Sequence, residues 1–139
     1  MFKKDLKTVG VLSEMAAQRV YLERGWDVFT PVSPQPRVDF VVVDKETGSV
    51  LKVQVKTVQD NTVNGITYRQ CRLVPNKKPY EPHEIDRFIF VHPPTGDIWG
   101  AAASQVIKKT SINFGRADGK GKEPRNNIFL NKFKQQEYK

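Results

Sequence analysis

The sequence predicts a mixed α/β or α+β domain built on one sheet with helices. Three observations carry this. One early segment repeats apolar residues at helical spacing, six later segments have strand character, and a last short segment can again be helical. From Thr8 to Arg24, Leu12, Ala16 and Val20 recur at i, i+4 and i+8 with Met15 beside them. Gly25 is a natural helix stop. Trp26-Asp27-Val28-Phe29-Thr30 alternates as a short strand, and Pro31, Pro34 and Pro36 stiffen the loop after it. Val38 to Asp44 is β-branched and apolar in its middle, as in a strand covered on both faces. Lys45-Glu46-Thr47-Gly48-Ser49 is turn chemistry and predicts a hairpin into Val50–Val58. In that strand Leu51, Val53 and Val55 face one way and Lys52, Gln54 and Lys56 the other.

Asn61 to Gly65 reads as a further turn, followed by a strand from Thr67 to Leu73 with Ile66 leading in. Pro75 to Glu84 is a proline-rich loop. Ile85–Val91 is a strongly apolar strand, Pro93 to Gly96 turns it, and Asp97–Ala101 returns. Ala102 to Lys108 can form a short helix, and Gly115 to Asn127 is rich in glycine and charge.

The 139 residues fit one domain. A single cysteine, Cys71, excludes an intramolecular disulfide and, with only two histidines, a cysteine-based zinc site; it reads as a packing residue. No apolar run is long enough to span a bilayer and no secretory leader is visible, so a soluble, cytoplasmic protein is expected. A net charge of +8 favours a polyanionic partner, most simply nucleic acid. Residues 108–139 hold nine basic and three acidic side chains, so most of that surplus lies at one end. It is either a solvated tail or a phosphate-binding arm, and the interleaved Asn126, Asn127, Phe129 and Phe133 favour the arm. Its candidate DNA contacts are Arg116, Lys120, Lys122 and Arg125; Arg69, Arg72, Lys77 and Lys78 are further candidates, with a solvated face as the alternative.

Gln54 and Lys56 share one strand face, which taken alone reads as a sheet surface open to water. Asp39 changes the balance. It opens the preceding strand, and the two hairpin arms are of similar length at about 3.3 Å per residue, so Asp39, Gln54 and Lys56 can converge. A carboxylate with amide or carbonyl oxygens makes a hard donor set suited to Mg²⁺, and a neighbouring lysine can hold a phosphate or act as a base.

Ser13-Glu14…Ala17, Gly25-Trp26-Asp27-Val28, Val38-Asp39-Phe40 and Val53-Gln54-Val55-Lys56-Thr57 together resemble the PD-(D/E)XK nuclease superfamily. Ile85-Asp86-Arg87-Phe88 and Asp97-Ile98-Trp99-Gly100 echo it later. The match is closest to the branch of group I intron homing endonucleases, and is also similar to archaeal-type Holliday junction resolvases. It covers residues 9–109, so 1–109 is read as a nuclease-like core and 110–139 as a basic segment of the same domain or a DNA-binding arm. The resemblance implies a restriction-endonuclease-like αβββαβ core with a central mixed sheet. It also implies Mg²⁺-dependent DNA cleavage, with Mn²⁺ able to substitute, in a bacterial or phage-type setting. The partners implied are double-stranded or branched DNA and a second copy of the chain, as a homodimer or homotetramer. Carried over, Asp39 is the central metal ligand, Gln54 the second, Glu14 an auxiliary ligand, Val55 a backbone-carbonyl ligand and Lys56 the catalytic lysine. Two departures stand out: proline lies three residues before Asp39, and neutral Gln54 replaces the usual acidic residue, removing one negative charge. A non-cleaving DNA-binding descendant is the alternative from another class.

Overall fold

The computed structural model describes residues 5–33, 37–73, 80–120 and 131–132. Helix α1 spans Leu6–Glu23. The Asp5 carboxylate accepts a hydrogen bond from the Thr8 amide at 2.7 Å, which caps the helix and starts it two residues before the periodicity indicates. Gly25, at φ +85°, ends it. Its buried side is Ser13, Ala17, Val20 and Tyr21, whereas Leu12 and Met15 face solvent. The expected stripe is thus rotated, because small Ser13 and Ala17 let the helix approach the sheet closely.

The main sheet contains β1 (Trp26–Phe29), β2 (Phe40–Asp44), β3 (Val50–Thr57), β6 (Arg87–His92), β7 (Asp97–Ala102) and β9 (Asn131–Lys132), in the spatial order β1-β2-β3-β6-β7-β9. The β2–β3 hairpin turns where expected, with Gly48 at φ +77°. Among the described strands only β3 and β6 pair in parallel, so the sheet is mixed, as the family resemblance implies. Asp86 fixes the start of that pairing: its carboxylate accepts the Lys52 amide at 2.8 Å and its own amide donates to the Lys52 carbonyl at 2.9 Å.

The connection from β3 to β6 carries a hairpin of β4 (Gln59–Val63) and β5 (Ile66–Arg72). These strands form a second, three-stranded sheet with β8 (Ser111–Arg116), in the order β4-β5-β8. The sequence reading missed β4 and β8. The turn placed at Asn61–Gly65 is in fact the pair Asn64 and Gly65, both at positive φ, as a two-residue hairpin turn requires. Strand β4 has little apolar alternation to betray it, and β8 lies partly in the glycine-rich stretch. The short helix α2 is confined to Ala103–Val106.

Two cores sandwich the main sheet. On one face, Ala17, Val20 and Tyr21 of α1 pack on Phe40, Val42, Val53, Val55, Ile89 and Val91. On the other, the second sheet and α2 bring Cys71, Leu73, Val106 and Ile112 onto Phe88, Phe90 and Ala101. His92 ties the layers at one end: Nε2 lies 3.0 Å from the Asp60 carboxylate of β4 and Nδ1 lies 2.8 Å from the Thr95 hydroxyl. None of the described helices is long and apolar enough to cross a membrane.

Phe90 is fully buried, stacks on Phe88 and meets Phe114 of β8 at 5.2 Å between ring centroids. Phe90→Ala is therefore expected to cost about 3–5 kcal/mol of folding stability, read from urea denaturation. A change well below that range would show that the two sheets do not depend on this contact.

Candidate active site

Where β2 meets β3, the ladder is interrupted. Phe40 is the register partner of Val53, yet the Asp39 amide also donates to the Val53 carbonyl at 2.9 Å. Two residues of the incoming chain therefore oppose one residue of β3, the signature of a bulge. Beyond this point β2 offers no backbone to β3. The Val55 N–H donates instead to the Asp39 carboxylate, at 2.6 Å. Strand alternation directs the Val55 carbonyl toward the same vacated edge.

Helix α1 delivers Glu14 to this point. Ser13 is 1% exposed, and its hydroxyl is hydrogen-bonded to that of Thr57 at 2.8 Å, which pins this turn of the helix to β3. The Glu14 and Asp39 carboxyls are close enough for each to act on the other's ionisation. Burial first, then the negative charge and the nearby side chain of Asp39, hold the Glu14 carboxyl above the usual carboxylate range. Burial also raises Asp39, against the opposing pull of the Val55 amide, the Lys56 ammonium and the nearby Glu14 side chain. Lys56 lies over the Tyr80 ring at 5.3 Å.

The structure thus gathers Glu14, Asp39, the Val55 backbone and Lys56. Gln54 lies beside them on β3, on the face that carries Lys56. It is 8% exposed, and its Oε1 has no hydrogen-bond partner. A buried acceptor without a donor is costly unless a cation or water meets it. Two paired carboxylic groups, an orphaned amide oxygen and a strand carbonyl form an all-oxygen set that fits a hard divalent cation. Among the described residues no three His, Cys, Asp or Glu side chains cluster, so amide and backbone oxygens would have to complete the shell.

The candidate DNA contacts fare differently. Arg69 forms an ion pair with Asp97 at 3.1 Å and is largely buried. Arg116 pairs with Asp118 at 2.7 Å. Arg72 and Lys120 are exposed. Lys77, Lys78, Lys122 and Arg125 lie outside the described residues. Arg37 was not singled out by the sequence, yet its guanidinium sits 4.3 Å from the centre of the Tyr80 ring that Lys56 also covers, and it pairs with Glu84 at 3.6 Å. Its place two residues before Asp39 was the only available signal. Cys71 is buried, with its thiol pushed up to about 12 by desolvation, which suits packing rather than reactivity.

The Glu14–Asp39 pair has a consequence for stability. An acid whose pKa is raised by folding stabilises the fold when protonated, and that stability is lost as pH rises through the folded value. In chelator-treated protein, Glu14→Gln is therefore expected to melt at a higher temperature than the parent at neutral pH. The advantage should shrink on acidification, as the parent pair takes up protons. Parallel melting curves across this range would contradict the coupling.

Comparison with family models matches residues 4–135 to the PD-(D/E)XK endonuclease model. Comparison with curated proteins gave no match. Among solved structures, the chain is similar to that of a bacterial homing endonuclease, I-Ssp6803I. The sequence identity is 24%, the TM-score is 0.71, and the match covers 88% of this chain and 86% of that one. This likeness supports the mixed-sheet nuclease fold, and the family match extends over nearly the whole sequence. The chain belongs to the PD-(D/E)XK endonuclease family.

Proposed function

We propose that the protein is a metal-dependent endonuclease that hydrolyses phosphodiester bonds in duplex DNA, in the manner of a site-specific homing enzyme. The observation that carries this is the joining of Glu14 and Asp39 at the vacated edge of β3, beside Lys56. Glu14, Asp39, Gln54 Oε1 and the Val55 carbonyl would hold Mg²⁺, with Mn²⁺ as a substitute. Bound there, the cation supplies charge stabilisation at the scissile phosphate and lowers the pKa of an attacking water.

The protein's own groups do the remaining work. The Val55 amide orients the Asp39 carboxylate, and the Ser13–Thr57 bond sets the reach of Glu14. Lys56 holds a phosphate oxygen or orients the nucleophile, with its ammonium set over the Tyr80 ring. Neutral Gln54 leaves the donor set one negative charge short of the usual motif, which weakens cation binding but also repels the scissile phosphate less. Exposed Arg72 and Lys120 are suited to contact flanking phosphates. Two copies of the chain would place one such site on each DNA strand.

Asp39→Asn and Lys56→Ala are each expected to lower Mg²⁺-dependent nicking of plasmid DNA by roughly a hundredfold or more, with DNA binding largely retained. Parental rates in either variant would show the site to be misassigned. DNA binding by the parent without metal-dependent nicking would instead mark a non-cleaving binding protein. Gln54→Glu is expected to lower the Mg²⁺ concentration for half-activity, because it restores a charged ligand. An unchanged titration would remove Gln54 from the coordination shell.

A further inference from the structure

The β4–β5 hairpin has two chemically distinct faces. The inner one is committed to the fold: Asp60 holds His92, Arg69 pairs with Asp97, and Cys71 is buried in the core. Alternation sends the intervening residues outward. On that outer face Gln59 stands directly opposite Gln70, and Asn61 follows two residues along, opposite Tyr68. The Asn61 amide donates to Gln70 Oε1 at 3.2 Å. Arg72 ends the row, exposed and beside Ser111 of β8. Gln59, Asn61, Gln70 and Arg72 border an open depression of about 610 Å³ that Leu6, Asp60 and Cys71 also line.

We propose that this outer face reads base edges in the major groove of B-form DNA, with Gln59, Asn61 and Gln70 as the specificity-determining residues. The inference rests on the nuclease reading above and deepens it. A side-chain amide can pair in bidentate fashion with adenine N6 and N7. A β-ribbon fits the major groove. Residues two apart on a strand are spaced about 6.7 Å, close to two steps of about 3.4 Å along a DNA strand, so Gln59 and Asn61 match alternate base pairs. The row starts three residues after Lys56, which puts it within a few base pairs of the candidate cleavage centre. Gln59, Asn61, Gln70 and Arg72 make the row polar, while Tyr68 and half-exposed Val63 share the face toward the hairpin turn. An A-form RNA duplex keeps its major groove too narrow for such a ribbon. The net charge of +8 supplies the attraction to a polyanion.

The test is selection of full-length protein against a randomised duplex DNA library in chelator, with binding measured over a salt series. The parent should enrich a defined sequence. The combined variant Gln59→Ala, Asn61→Ala, Gln70→Ala should lose about tenfold or more of its preference at each of the positions read. Its slope of log affinity against log salt should stay parental, since amides neutralise no phosphate. Arg72→Ala, in contrast, should flatten that slope by roughly 0.9, since its guanidinium is assigned to a flanking phosphate. A single exposed change, Gln59→Glu, should shift one position from adenine toward cytosine, and it guards against a folding defect in the triple variant. The proposal is overturned if the triple variant, shown by melting to be folded, enriches the parental sequence with parental affinity. It is also overturned if the parent enriches none. Failure of the parent to nick DNA with Mg²⁺ would overturn the nuclease reading instead, which the selection does not use.

Discussion

The hydrogen bond from the Val55 amide to the Asp39 carboxylate, 2.6 Å long, is the contact on which the site depends. A strand inside a sheet must satisfy its backbone donors, and β2 runs out just where Val55 presents one. A side-chain oxygen takes the place of the missing strand. This closes the ladder without covering it, so one edge of β3 stays open while the flanking sheet remains rigid. Such an opening is where a ligand can reach both a strand carbonyl and the carboxylate that replaced its neighbour.

Rigidity around that opening comes from both faces. Small residues on α1 bring the helix close enough for the Ser13 and Thr57 hydroxyls to meet, and the same turn carries Glu14 inward. On the opposite face, Phe88 and Phe90 are sealed by Tyr80 and Phe114, and Tyr80 in turn faces both Lys56 and Arg37. Packing thus sets the positions of the charged groups, and their mutual electrostatics then follow from distance and burial.

Those electrostatics run against stability. Burial raises both Glu14 and Asp39, Glu14 is raised further by its neighbour, and Gln54 keeps an acceptor with no donor. A fold selected for stability alone would replace these groups with apolar ones. Raised carboxyls beside a buried amide oxygen without a donor are groups that a bound cation would relieve.

The sequence by itself determined the class of the fold, the β2–β3 hairpin and the placement of Asp39 beside the strand bearing Gln54 and Lys56. Alternation and turn chemistry are local, and a short hairpin leaves its arms little choice of register. It also carried the family resemblance through Glu14. Tertiary structure alone decided that the Glu14 and Asp39 carboxyls act on each other, that Gln54 Oε1 is buried without a partner, and that Arg69 is spent on Asp97. It also decided that Gln59–Val63 and Ser111–Arg116 are strands of a second sheet. Alternation tells which residues share a face but not which distant segment will pair with it. Polar strands such as β4 acquire their identity only from the backbone of a partner.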